Sequence, residues 1–457
     1  MKKILRYMGV DRAVAYTLAS RGWGLLSGLI TLLLVARNLT SAEQGYYYTF
    51  ASLLAMQILF ELGMSVVVMQ FSSHEMAHLS WSEKGILNGE ANSLSRLRSL
   101  VMLVSKWYGI IAILIIVIVT PVGWIMFSNS HSDIGVSWHL PWLCLICAAA
   151  TNIFFMPFLA LLEGCGRVTE VARLRMIQNI IGSLLAWGVL ISGGGLWAMP
   201  VMNIGFGITV IVWLWKTKKL FFMNLLEVNV LQEKVNWKTE IWPFQWRIAL
   251  SWLSGFFIFQ LFTPVLFAYR GAVEAGQMGM SISISNALMG IAIAWMNTKA
   301  PGFGALVATK DYLSLDKIFA VTLTRSLAVI VIVGGVLCIL NYIIHAELMK
   351  ISYRILDPLP FMLLILATIF TYITYAQATY LRAHKEEPFM LISLISAILI
   401  GSLTIILGKE YGSLGLMAVY ATIYCLVGVG WGSLIFFSKR RNWQKQCGYK
   451  VASKGML

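Results

Sequence analysis

The 457-residue chain is 59% hydrophobic and only 12% charged, which excludes a soluble globular domain, where about a quarter of residues are charged. Apolar stretches of 20 or more residues recur from end to end, the pattern of an all-α polytopic membrane protein. The formal net charge of +15 sits in the loops between those stretches, a placement that orients spans in a bilayer and excludes a nucleic-acid partner.

The first predicted span, Ala13–Ala36, runs 24 residues between Arg12 and Arg37. That is enough to cross a hydrocarbon core of about 30 Å at about 1.5 Å per residue. The start Met1-Lys-Lys mimics a signal peptide, but the apolar part is too long and no small-residue cleavage site follows, so this reads as an uncleaved span. Arg21 lies inside it, roughly 12 Å from the start. Thr17, Arg21, Gly24, Gly28 and Thr31 step by four and three residues, which puts them on one helix face. That face is small and polar and includes Gly24-Leu-Leu-Ser-Gly28, a spacing suited to close helix approach. A buried arginine costs at least about 2.5–3.5 kcal/mol, so the face is expected to turn toward protein or water.

The second span, 45–70, carries Glu61, with Gln57 and Ser65 four residues to either side. Ten more spans are expected at 101–127, 139–162, 174–192, 196–215, 246–269, 275–298, 319–343, 359–381, 388–408 and 414–437. With the N-terminus inside, 27 of the 35 lysines and arginines fall in cytoplasmic segments, five fall outside and three lie within spans. This bias predicts cytoplasmic termini. The six cysteines lie mostly in apolar stretches and imply no disulfide framework.

The longest polar interval, Lys216–Gln245, divides the spans six and six. This gives an N-terminal lobe over 1–219, a linker over 220–245 and a C-terminal lobe with a basic tail over 246–457. Phe221, Phe222, Leu225, Leu226, Trp237 and Trp242 suggest that the linker lies on the membrane surface. Ile181-Gly-Ser-Leu184 recurs as Ile400-Gly-Ser-Leu403, 219 residues on. An even span count would make such repeats parallel, two six-helix lobes around a central cavity.

Three stretches carry a family resemblance: Leu34-Val-Ala-Arg37-Asn-Leu-Thr-Ser-Ala-Glu43-Gln-Gly45-Tyr, Glu61-Leu-Gly63 and Leu162-Glu-Gly164-Cys-Gly-Arg167. With these motifs the chain resembles the polysaccharide-biosynthesis (O-antigen) flippases of the multidrug/oligosaccharidyl-lipid/polysaccharide exporter superfamily. The resemblance implies a bacterial inner-membrane carrier, not an enzyme, that moves an undecaprenyl-diphosphate-linked sugar repeat unit to the periplasmic face. It further implies a V-shaped pair of lobes, a cationic cavity, alternating access, and polymerase or glycosyltransferase partners. No cofactor is expected beyond a coupling ion, a proton or sodium.

Charge sign points the same way. Arg21, Lys106 and Arg325 are predicted about one or two helical turns from the cytoplasmic ends of spans one, three and nine. A lipid diphosphate would present its phosphates near that depth, and arginine can bond phosphate bidentately. The alternative is snorkelling to the interface, which the apolar neighbours Met102, Leu103, Ile110 and Ile113 favour for Lys106. Glu61 admits three roles: an ion pair with Arg21, a proton or sodium site, or an acid that orients sugar hydroxyls. Thr368, Tyr372, Tyr375 and Thr379 share a face of span ten, and Gln277, Ser281, Ser285 and Asn286 lie along span eight. Hydroxyls beside aromatic rings suit a glycan, and they equally suit helix packing. Arg270, at the outer end of span seven, is placed either to receive phosphate or to anchor a headgroup.

Two motifs point elsewhere. His74-Glu75-Met-Ala-His78 fits the H-E-x-x-H pattern of zinc proteases, so an intramembrane metalloprotease is the alternative from another class. No convincing third ligand accompanies it, and no metal is expected. Cys144-Leu-Ile-Cys147 lies in an apolar stretch, where packing outweighs redox chemistry. The same fold could also serve a cation-coupled multidrug extruder. Three in-span bases against one acid disfavour that option, because cationic drugs call for acidic cavities.

Overall fold

The computed structural model describes residues 12–83, 85–129, 135–227, 235–347, 349, 351–384, 386 and 388–446. Among these the chain is helical apart from one antiparallel hairpin, β1 (Leu79–Trp81) with β2 (Leu87–Gly89). Eight helices are long and apolar enough to cross a membrane singly: Ala15–Asn38, Ala91–Ser128, His139–Gly164, Val168–Ile191, Gly195–Glu227, Ala272–Ala308, Tyr312–Ala346 and Pro358–Ala383. Two further crossings are bent pairs, Ser41–Glu61 with Met64–His78 at 45° and Ile248–Phe259 with Phe262–Arg270 at 41°. The final run, Met390–Gln444, is 55 residues long, far more than the ~20 a bilayer requires. It breaks at Gly412, where φ is 58° and ψ −144°, and therefore supplies two crossings. The described residues thus form the expected all-α, twelve-span fold, numbered here as spans one to twelve.

The differences lie within elements. Spans two and seven, predicted as single helices, are each broken. Several helices outrun their apolar windows, span three beginning at Ala91 rather than 101, because nothing in their polar first turns stops a helix. The same reason removes half of the predicted surface segment. No glycine or proline interrupts 208–227, so span six continues to Glu227. Phe221 and Leu225 are buried along it, and Phe221 lies 5.1 Å from Trp81 of β1.

The chain divides into two compact units, Met1–Phe256 and Phe257–Leu457. In the first, span one lies along span five. Trp23 Nε1 donates to Ser183 Oγ at 3.0 Å, Asn179 Nδ2 to Ser20 Oγ at 2.9 Å, and Trp187 Nε1 to Thr31 Oγ1 at 2.9 Å. Span two opens with a reciprocal cap, Thr40 N–H to Glu43 and Glu43 N–H to Thr40 Oγ1. Its second half packs on span four, where Gly164 sits against Ser72. Trp81 is held where spans four, five and six converge. Its indole donates to Cys165 O at 2.8 Å, Arg167 stacks over the ring at 4.2 Å, and Glu170 joins Arg167 to the buried Lys218.

In the second unit, spans eight and ten pack through Ser285–Thr368 and Tyr375–Asn297 hydrogen bonds of 2.5 and 2.7 Å, and span nine joins span ten through Ser326 and Tyr372. The C-terminal helix folds back on their basic ends. Asp316 accepts from Tyr380, Arg440 and Gln444 at 2.7–2.8 Å. His384 stacks face to face on Trp443 at 3.6 Å, and burial holds its imidazole below the usual histidine range.

Glycine placement yields a stability test. A Cβ at Gly164 would lie 1.9 Å from Ser72 Oγ and 2.3 Å from Met69 O, whereas Gly24 and Gly28 have nothing within 4 Å. Gly164→Ala should therefore destabilise the purified protein by about 1–3 kcal/mol in detergent melts. Gly24→Ala and Gly28→Ala should melt with the parent.

Candidate functional site

Span two breaks where Leu62 and Gly63 both adopt left-handed backbone, with φ of 51° and 71°. For leucine this conformation costs roughly 1–2 kcal/mol, and the second half-helix, Met64–Glu75, begins with free N–H groups. Glu61 satisfies them. Its Oε2 accepts Gly63 N–H at 3.1 Å, while Oε1 accepts Ser65 N–H at 2.8 Å, Ser65 Oγ at 2.5 Å and Tyr108 Oη at 2.9 Å. Ser65 and Tyr108 also lie 3.0 Å from each other. The carboxylate is 2% exposed, and it sits at the positive end of a helix dipole. Four charge-assisted hydrogen bonds compensate its lost hydration.

Arg21 is not among its partners. It is exposed in unit 1, and it lies two positions from Trp23, so it faces away from span five. The Arg21–Glu61 ion pair, one of the three readings of Glu61, is not formed, because the carboxylate is taken up by its own helix break. Gly24 and Gly28 do not form a close helix contact within the unit. Arg21, Gly24 and Gly28 are exposed there, while Thr31 of the same face accepts from Trp187 of span five.

Lys106 and Arg325 are likewise exposed on their units. Lys106 shares its face with the exposed Met102, Ile110 and Ile113. Arg325 lies beside the buried Thr322 and Ser326 and the exposed Ala328. Tyr372 is fully buried, with its hydroxyl bonded to Ser326. Tyr375 is half-buried and donates to Asn297. The hydroxyl face of span ten thus meets spans eight and nine within unit 2. Arg270 bonds the backbone carbonyl of Glu410, and Glu274 accepts Ser413 N–H at 2.6 Å. Together they brace the turn around Gly412.

The H-E-x-x-H residues do not share a helix. The α-helix ends at Glu75, and Met76–His78 is a tighter 3₁₀ turn. Glu75 is ion-paired to Arg96 at 2.8 Å, which removes it as a free base. Among the described residues no three His, Cys, Asp or Glu side chains come together as a metal site. Tyr108 is the partner that the sequence did not disclose. Nothing distinguishes it there from an ordinary core tyrosine.

Neither a protein-family model nor a curated protein matches the sequence, but solved structures match the fold. An inward-facing multidrug resistance MATE family transporter of the MOP superfamily aligns over 94% of this chain and 100% of its own, with 13% identity and a TM-score of 0.55. The lipid II flippase MurJ, in an inward closed conformation, aligns over 94% and 91%, with 12% identity and a TM-score of 0.57. A Vibrio cholerae MATE transporter, VcmN, aligns over 95% and 97%, with 14% identity and a TM-score of 0.56. The chain has the fold of the MOP superfamily transporters.

The Glu61 arrangement is testable by melting. Glu61→Ala strands buried N–H groups and should cost about 1–3 kcal/mol, and Tyr108→Phe about 1 kcal/mol. Arg21→Ala should leave the melt unchanged. The swap Arg21→Glu with Glu61→Arg should be no more stable than Glu61→Arg alone.

Proposed function

We propose that the chain is a flippase, a carrier and not an enzyme. It translocates an undecaprenyl-diphosphate-linked oligosaccharide, an O-antigen or similar repeat unit, across a bacterial inner membrane by alternating access. The observation that carries this reading is the sign of the accessible charge inside the spans. Arg21, Lys106 and Arg325 are exposed on their units, whereas Glu61, the acid deep within span two, is buried with both oxygens bonded. Cations in low-dielectric surroundings attract a diphosphate far more strongly than they do in bulk water. The fold shared with the lipid II flippase supports a lipid-linked cargo.

Arg21 is the residue assigned to the diphosphate, because it lies on an otherwise small and polar face. Glu61 organises span two and is the candidate site for a coupling ion, a proton or sodium. Both termini are cytoplasmic in this reading, with polymerase or glycosyltransferases at the membrane as partners. The MATE structures supply a second reading, cation-coupled drug extrusion, which would need acids where this chain presents bases.

Complementation of surface polysaccharide in a flippase-null strain tests the assignment. Arg21→Ala should lower polysaccharide on the order of tenfold at normal membrane level, the scale of losing a charge-assisted hydrogen bond. Arg21→Lys should retain part of the activity because the charge remains without the fork, and Arg21→Glu should be the most impaired. Full polysaccharide from Arg21→Ala would remove Arg21 from transport. Efflux of cationic dyes without polysaccharide rescue would favour the second reading.

A further inference from the structure

The polar segment between spans six and seven is tied down within unit 1. Val235 N–H donates to Ser99 Oγ at 3.0 Å, and Trp237 packs on Trp107 with ring centroids 5.1 Å apart. Arg96 donates through Nε to Glu75 Oε1 at 2.8 Å and through a terminal nitrogen to Glu240 Oε2 at 2.5 Å. Glu240 Oε1 accepts Asn236 N–H at 2.8 Å, and Asn236 Oδ1 accepts Lys238 N–H at 3.0 Å. Although burial opposes its charge, the Asn236 N–H and the Arg96 guanidinium hold the Glu240 carboxyl below the usual carboxylate range.

Farther along, the start of span seven touches the break in span two. A Cβ on Gly63 would lie 2.3 Å from Ile248 Cγ2 and 3.5 Å from Trp252 Nε1. The half-helix Met64–Glu75 is thus joined to the start of span seven at both of its ends. One joint is Gly63 against Ile248 and Trp252, and the other is Glu75 through Arg96 to Glu240. Unit 1 accordingly runs to Phe256, inside the helix Trp242–Phe259, rather than stopping in the polar linker.

We propose that Arg96, on span three, is a positioning residue that clamps the start of span seven to the second half of span two, so that the three travel as one element during transport. The guanidinium suits this role because two of its N–H vectors reach two carboxylates at once, a geometry that a lysine ammonium on a flexible stem does not hold. The inference rests on the transport reading for its consequence, but the clamp itself has a readout that does not need transport.

The test is hydrogen–deuterium exchange on the full-length purified protein. Arg96→Met should speed exchange about tenfold in peptides covering 235–242 and 64–75, the scale of a lost charge-assisted bond, and leave span five unchanged. Arg96→Lys should fall between. Glu240→Gln, outside the membrane, reports on the same clamp should Arg96→Met fail to accumulate. A disulfide between Ser99→Cys and Val235→Cys should restore protection to Arg96→Met. In the chain that keeps Arg96 it should leave polysaccharide complementation intact. Unchanged exchange in both charge variants would overturn the clamp. Transport stopped by the disulfide would overturn joint travel, since the segment would then have to open. A parent chain that restores no polysaccharide contradicts the transport reading alone, because the exchange comparison stands without it.

Discussion

In hydrocarbon an unpaired backbone N–H costs several kcal/mol, and a helix can break inside a membrane only where something accepts the groups the break releases. Glu61 is that acceptor in span two. Its carboxylate replaces the missing carbonyls at Gly63 and Ser65 and is itself held by Tyr108 of span three. The break turns the second half of span two, and that half carries Ser72 against Gly164 and Glu75 toward Arg96. One buried acid thereby fixes how spans two, three and four meet. The same commitment removes Glu61 from the accessible surface, whereas Arg21, Lys106 and Arg325 are exposed on their units.

Each unit is braced by polar contacts at the basic ends of its helices. In unit 1 these are the Glu75–Arg96–Glu240 and Arg167–Glu170–Lys218 groups, the latter beside Trp81. In unit 2 they are the Asp316 cluster and the Lys439–Glu386 pair. Exposed ion pairs contribute little individually. Arg167 and Lys218 also meet Trp81, and Asp316 accepts from Tyr380, so these two groups fix geometry more than they add stability.

The sequence disclosed what long-range hydrophobic patterning encodes. Span number and helical class were legible, because each depends on residues close together in the chain, whereas the start of span two lies at Ser41, capped by Thr40 and Glu43, ahead of the expected residue 45. Partners across helices were not legible. Arg21 and Glu61 lie at similar predicted depths on neighbouring helices, yet depth does not specify direction, and the break at Leu62–Gly63 redirects the acid to its own backbone. Tyr372 shows the same limit, since a hydroxyl face built for packing and one built for sugar have the same period. Gly24 and Gly28 carry a contact motif that meets nothing within its unit. Arg96 looked like one more cytoplasmic cation until Glu75 and Glu240 were seen on either side of it.

The most direct measurement is flipping in vesicles that contain only the purified protein. Liposomes would carry an undecaprenyl-diphosphate-linked oligosaccharide or the same glycan on a neutral polyprenol, with outer-leaflet glycan read by enzymatic trimming. An anion-selective flippase should render the inner-leaflet diphosphate-linked glycan accessible within minutes and leave the neutral lipid protected. Equal movement of both lipids, or uptake of cationic dyes with neither lipid moved, would contradict the account.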